Sequence, residues 1–64
     1  MNMGILTVLM EVGQEIASIW GGYCKDAEID YENKEVNFLC SEHGEEFYTP
    51  LSFFELERDY GVQV

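Results

Sequence analysis

Residues 26–40 read DAEIDYENKEVNFLC, and they carry the clearest signal for a β-sheet in this chain. Two sets of apolar residues recur in it with a period of two, which is typical of strands that bury one face. They are Ala27, Ile29 and Tyr31, followed by Val36, Phe38 and Cys40. Because the two runs flank Asn33-Lys34, they predict a β-hairpin with a two-residue loop. Asparagine tolerates positive φ well and lysine poorly, so the turn type stays open.

A third strand follows the hairpin. The tetrapeptide Ser41-Glu42-His43-Gly44 has the composition of a second tight turn. Residues 45–49 then form the predicted strand, with Phe47 or Tyr48 facing inward. Proline donates no hydrogen bond to a sheet ladder, so Pro50 is expected to end the strand.

The N-terminal segment has apolar residues at alternating spacings of four and three, as on one face of an amphipathic helix. They are Ile5, Leu9, Val12, Ile16 and Ile19. The pair Gly21-Gly22 is a stop signal for this helix, and Gly13 within it costs about 1 kcal/mol. A hairpin is the competing interpretation, with a turn at Gly13-Gln14 after an alternating run. That run consists of Leu6, Val8, Met10 and Val12.

A C-terminal helix is predicted after the third strand. Ser52 and Glu55 have the spacing of a capping box, and Gly61 is the expected stop. Phe53, Leu56 and Tyr60 would share one face of it. The predicted fold is therefore α+β: an N-terminal helix, a three-stranded antiparallel meander and a C-terminal helix, in a single small acidic domain over residues 1–64.

The charge balance limits the possible partners. Of the 64 residues, 13 are Asp or Glu and 3 are Lys or Arg, which gives a net charge of -10. Phosphates would be repelled, so we expect no binding to nucleic acid or to an anionic membrane, whereas a basic protein surface would be attracted. Glu11 and Glu15 interrupt the apolar N-terminal run, which argues against a signal peptide or a membrane span.

Neither an active site nor a metal or cofactor site is predicted. Cys24, Cys40 and His43 lack the paired short spacings of a structural zinc site. Ser41 lies near His43 but without a third group to orient them, and Gly21-Gly22 lacks the residues that follow in a nucleotide loop. The two cysteines are expected to be free, partly buried thiols of a cytoplasmic protein.

Four acids alternate along the first predicted strand and would place their carboxylates on one face, neighbours about 6.6 Å apart. They are Asp26, Glu28, Asp30 and Glu32. Such a row resembles a single nucleic-acid backbone in charge density, though not in detail, and would fit a groove built for DNA. A solvated edge strand kept charged against aggregation is the alternative. Acids near the second turn could serve the same role as the row; these are Glu42, Glu45 and Glu46.

Two adjacent aromatic residues, Phe53 and Phe54, cannot point the same way on the C-terminal helix. One is expected in the core. The other would be exposed, or buried when a second copy of the chain packs against it, as short chains often gain burial by dimerising.

The C-terminal half resembles the small uracil-DNA glycosylase inhibitors of podophages. The matching residues are Gly44-Glu45-Glu46-Phe47-Tyr48, Leu51-Ser52, Leu56-Glu57 and Tyr60-Gly61. The resemblance implies a homodimer in the host cytoplasm that mimics DNA and blocks the DNA-binding cleft of the enzyme. It also implies that Glu57 and Tyr60 contact the enzyme. Leu56, where the family has an aromatic residue, would help to receive the enzyme's DNA-intercalating apolar side chain.

The leading hypothesis is therefore a DNA-mimic inhibitor of uracil-DNA glycosylase. Its rivals are an acidic inhibitor of a CRISPR effector, restriction enzyme or recombination nuclease, a structural or adaptor module without DNA mimicry, and a metal-binding enzyme. The predicted partner-binding residues are Asp26, Glu28, Asp30, Glu32, Phe53, Phe54, Leu56, Glu57 and Tyr60.

Overall fold

The computed structural model describes residues 3–64, so the first two residues of the predicted domain lie outside the described part. It contains two helices and three strands in the predicted order, which confirms the α+β fold. They are α1 (Met3–Ser18), β1 (Tyr23–Asp30), β2 (Glu35–Glu42), β3 (Glu45–Ser52) and α2 (Phe53–Tyr60).

Both helices pack against the same face of the sheet. The strands pair antiparallel in the order β1-β2-β3. Val36, Phe38 and Cys40 of the central strand are completely buried, and one core joins them to Leu9 of α1 and Leu56 of α2. Successive side chains of a strand point to opposite faces, so the odd-numbered residues of β2 lie on the face that neither helix covers. We call this second face the open face.

Helix α1 has the predicted apolar stripe except at its end. Leu9, Val12 and Ile16 are buried, whereas Ile19 is 76% exposed. The helix ends at Ser18 because Gly21 adopts a φ of 77° and the backbone N–H of Gly22 donates to the carbonyl of Ala17. The prediction for Ile19 was thus wrong, and so was the alternative of an N-terminal hairpin. No described helix is long and apolar enough to cross a membrane.

Gly13 brings α1 unusually close to β1. A Cβ atom at this position would lie 2.4 Å from Cys24 Sγ and 2.9 Å from Phe38 Cδ1. The neighbouring Gln14 binds the backbone of the edge strand, because its Nε2 donates to the carbonyl of Cys24 at 2.7 Å and its Oε1 accepts from the N–H of Cys24 at 3.2 Å. Gly13 therefore permits the close contact between α1 and β1, and the side-chain amide of Gln14 stabilises it.

The first turn is longer than predicted. Asp30 pairs with Glu35, so residues 31–34 form a four-residue connection in place of a two-residue loop. The Asp30 carboxylate accepts hydrogen bonds from the N–H and the Nδ2 of Asn33, at 3.1 and 2.8 Å. Lys34 takes the positive φ, 54°, and its carbonyl accepts from the N–H of Phe53. These contacts fix the turn, and they leave Tyr31 68% exposed and not facing inward.

The second turn and the third strand also differ in part from expectation. His43 and Gly44 have φ values of 50° and 83°, as in a type I′ hairpin turn, within the predicted tetrapeptide. Phe47 is the half-buried member of the Phe47–Tyr48 pair and packs on Trp20. The strand runs on to Ser52 and pairs Pro50 with Asn37, so the proline does not end it. An edge strand tolerates proline because its outer N–H groups need no partner in the sheet.

Helix α2 begins and ends at the predicted residues. The Ser52 side chain accepts from the Glu55 N–H at 3.0 Å, and the Glu55 carboxylate accepts from the Ser52 N–H at 3.1 Å, which completes the capping box. Gly61, with φ 67°, ends the helix. Of its two phenylalanines, Phe53 packs on the core and Phe54 is 61% exposed, as expected for neighbours on a helix.

Candidate functional site

Three of the four predicted acids lie in one row on the open face. Asp26 and Glu28 of β1 are exposed and Asp30 is half-buried. A β-bulge between Cys24 and Asp26 shifts the register of the strand by one residue. Because of this shift, Cys24 before the bulge and the residues that alternate with the acids after it face the core. Glu32 lies beyond the end of β1, within the turn, so its placement in the row was wrong.

The row has no cationic partner within residues 3–64. Lys25 forms its ion pair with Glu46 of β3, and Arg58 pairs with Asp59 on α2 at 2.8 Å. No ion pair of the described residues includes Asp26, Glu28 or Asp30. These negative charges are therefore not neutralised by an ion pair in the described part of the chain.

The three acids are not equivalent. The hydrogen bonds from Asn33 lower the pKa of Asp30, which makes this residue part of the turn. One oxygen of Asp26 accepts from the adjacent Ala27 N–H at 2.8 Å. Glu28 makes no side-chain hydrogen bond within the described part of the chain. Asp26 and Glu28 are thus the carboxylates that can turn to a partner without disturbing the turn.

A shallow depression of about 300 Å³ lies beside the row, lined by Glu28, Asn37 and Tyr48. Glu28 pairs with Asn37 across β1 and β2, and Tyr48 of β3 is 60% exposed. Neither Asn37 nor Tyr48 was among the predicted partner-binding residues. The period of two places each residue on a face, but the register that brings three strands to one depression is not visible in the sequence.

The exposed part of α2 forms a second surface. Phe54, Glu57 and Arg58 line a depression of about 340 Å³, and the Arg58 guanidinium lies 5.3 Å from the centre of the Phe54 ring. This arrangement is a cation–π contact. Phe54 and Glu57, two of the predicted partner-binding residues, are therefore exposed and accessible to a partner.

The inner part of α2 is not available in the same way. Leu56 is completely buried, so it does not receive a partner's apolar side chain in this fold. Leu56 is buried because it is the innermost residue of a helix that packs on the core by one face. Phe53 and Tyr60 are half-buried against the core, and the Tyr31 ring meets Phe53 edge-on at 6.1 Å.

The predicted binding residues therefore fall on two separate surfaces. The acidic row lies on β1, at one edge of the sheet and on its open face. Helix α2 follows β3 at the other edge and packs on the opposite face. With strands about 4.8 Å apart, the two edges are separated by roughly 10 Å before the thickness of the sheet is counted.

Two of the three candidate acids near the second turn have a side-chain partner, and Glu45 has no ion pair among the described residues. Near the second turn, Glu46 is paired with Lys25, and Glu42 Oε1 lies 3.7 Å from His43 Nε2. No group of three or more His, Cys, Asp or Glu residues in the described part could hold a metal ion.

Both cysteines are free and buried, and they lie opposite each other on β1 and β2. Burial raises the pKa of the Cys24 thiol. The thiol side chains therefore behave as core groups, as their sequence context predicted.

Comparison of the chain with protein-family models, curated proteins and solved structures finds no match.

Proposed function

We propose that this chain is an acidic DNA-mimic protein that inhibits a DNA-binding enzyme of a host cell by occupying its basic cleft in the cytoplasm. Uracil-DNA glycosylase is the first target, because the C-terminal half resembles inhibitors of that enzyme. One observation carries the proposal: Asp26 and Glu28 stand exposed on the open face and have no cationic partner in residues 3–64.

Protection of an edge strand against aggregation does not require exposed acids that lack a cationic partner. Charges of mixed sign protect an edge equally well and with less repulsion. Here the one lysine of β1 turns to Glu46, which leaves the acids at 26 and 28 without compensation. In a cationic cleft these carboxylates would take the place of DNA phosphates and raise the association rate by electrostatic steering.

The apolar part of the proposed contact is assigned to Phe54 in place of Leu56. Phe54 is exposed next to Glu57, whereas Leu56 is buried. The homodimer implied by the resemblance stays a prediction, and a second copy that packed on Phe54 would compete with the enzyme for this side chain. Sedimentation equilibrium of the wild type and of Phe54→Ser measures whether a dimer forms and whether it depends on Phe54.

The test is uracil excision from a DNA duplex by the glycosylase, with this protein at a twofold molar excess. We expect loss of excision with the wild type and weaker inhibition by the double variant Asp26→Asn, Glu28→Gln, because two phosphate substitutes are removed. The matched control is Glu11→Gln, Glu15→Gln, which removes the same charge from the exposed side of α1. We expect the control to inhibit like the wild type.

Two results would contradict the proposal. Full excision at a twofold excess rejects the glycosylase as target. The same pair of variants is then tested against a restriction nuclease and a CRISPR effector. Equal inhibition by the two double variants rejects DNA mimicry by the row, since the effect would then follow total charge alone. Circular dichroism of each variant shows that it is folded.

A further inference from the structure

The depression on the open face combines three different groups from three strands. Glu28 of β1 lies directly opposite Asn37 of β2. Tyr48 of β3 is two residues from Pro50, the partner of Asn37, and therefore lies diagonally across from the same asparagine. A carboxylate, an amide and an aromatic ring thus converge on about 300 Å³ of open space.

All three side chains are unengaged. The side-chain amide of Asn37 and the hydroxyl of Tyr48 have no hydrogen-bond partner in residues 3–64, and Glu28 has neither a hydrogen bond nor an ion pair there. A half-buried amide beside an unpaired carboxylate offers several acceptor sites at close range. The depression therefore has acceptors and an aromatic face, and its own donors, the NH₂ of Asn37 and the hydroxyl of Tyr48, make no hydrogen bond to the Glu28 carboxylate.

We propose that this depression binds the guanidinium group of an arginine side chain presented by a partner protein. Guanidinium is planar, carries five N–H donors and stacks on aromatic rings, so it can donate to a carboxylate and an amide oxygen while it lies against Tyr48. A lysine ammonium is a compact point charge that cannot satisfy all three groups together. The inference deepens the proposed function, because it names the group of the basic cleft that the open face recognises.

Charge complementarity supports arginine over a neutral ligand. The chain has a net charge of -10, and its ion pairs involving Lys25 and Arg58 are made elsewhere. The depression lies at the lower end of the volumes of small-molecule sites, about 300–1,000 Å³, and it is shallow. Such a surface cannot enclose a larger ligand but is sufficient for one planar cation.

The test is a titration of the ¹⁵N-labelled protein with N-acetyl-arginine methylamide, followed by NMR, beside the same titration with N-acetyl-lysine methylamide. We expect the amide signals of residues 28, 37 and 48 to shift most with the arginine compound, with about threefold tighter binding than for lysine. Glu28→Gln should weaken the arginine compound about threefold and Tyr48→Ala about twofold, whereas Tyr48→Phe keeps the ring and the affinity. Glu11→Gln on α1 is the matched charge control and should leave the affinity unchanged.

Equal shifts with the two compounds, or shifts spread over all acidic positions, overturn the arginine site. An affinity that falls as much in Glu11→Gln as in Glu28→Gln also overturns it. The titration needs no partner enzyme, so its result is separate from that of the excision assay. If the NMR titration is selective for arginine but uracil excision is complete, the arginine site is supported and the glycosylase is rejected as the target. If the protein inhibits excision but the titration is not selective, only the arginine site is rejected.

Discussion

Replacing Gly13 with alanine should destabilise the protein, although alanine is the better helix former. Alanine in a helix interior is favoured over glycine by about 1 kcal/mol. The added Cβ would lie 2.4 Å from Cys24 Sγ and 2.9 Å from Phe38 Cδ1. Relative to ordinary contacts near 3.5 Å, both are too short, by about 1.1 and about 0.6 Å. Overpacking of this kind costs about 1–3 kcal/mol, and two simultaneous contacts favour the upper value.

The expected net loss is therefore about 2 kcal/mol, since a cost near 3 is offset by a gain near 1. For a chain of this size the loss lowers Tm by roughly 8–16 °C, measured by circular dichroism at 222 nm. Gly4→Ala is the control, because nothing lies within 4 Å of its added Cβ and α1 also contains it. That control should be neutral or stabilising by up to about 1 kcal/mol.

A double-mutant cycle locates the clash. Cys24→Ala removes the nearest atom, so Gly13→Ala should be less harmful in that background by about 1 kcal/mol. If Gly13→Ala melts at or above the wild-type temperature, α1 does not approach β1 as closely as described. If the two substitutions are additive, the sulfur atom is not the source of the cost.

Three further outcomes are expected. Leu56→Ala should lower the free energy of unfolding by about 2–5 kcal/mol in urea titrations, whereas exposed Phe54→Ala should change it by less than about 0.5 kcal/mol; equal losses would contradict the assignment of inner and outer faces of α2. The pKa of Asp30, followed by NMR, should be lower than that of an ordinary aspartate and should rise in Asn33→Ala. Because the pKa of Asp30 is lower in the folded state, its contribution to stability is complete above the unfolded-state pKa and is lost as the pH falls through the folded-state pKa. An unchanged pKa in the variant would contradict the contact between Asp30 and Asn33. Burial and a raised pKa should make the Cys24 thiol slow to react with iodoacetamide at pH 8 in the native protein and fast in urea, and similar rates would show that it is accessible.

The order of the elements could be predicted because its signals are local. The period of two in residues 26–40 and the period of three to four in α1 each need only neighbouring residues. The capping box at Ser52 is likewise contained in four consecutive positions. Such features identify the type and order of the elements, whereas the ends of α1 and β1 differ from the pattern at Ile19 and Tyr31.

The errors have two physical origins. The first turn is closed by hydrogen bonds between Asp30 and Asn33, which are only three positions apart, but the period of two continues to Glu32 and does not reveal them. Pro50 continues β3 because that strand lies at an edge, which only the assembled sheet determines.

The candidate site could be predicted only in part, for the same reason. The alternation placed Asp26 and Glu28 on one face, but the pairing register brought Asn37 and Tyr48 to them. Likewise the helical period showed that Leu56 shares a face with Phe53. It did not show that this face turns into the core.

The sequential order of the strands has a consequence for how the chain reaches its structure. Each strand pairs only with the one next to it along the chain, through connections of a few residues at 31–34 and 43–44. Short loops close with little loss of chain entropy, and pairing between neighbouring strands favours faster folding than pairing between distant ones. Rapid refolding would keep the time spent with bare strand edges short, which helps an unfolded chain to return before it aggregates.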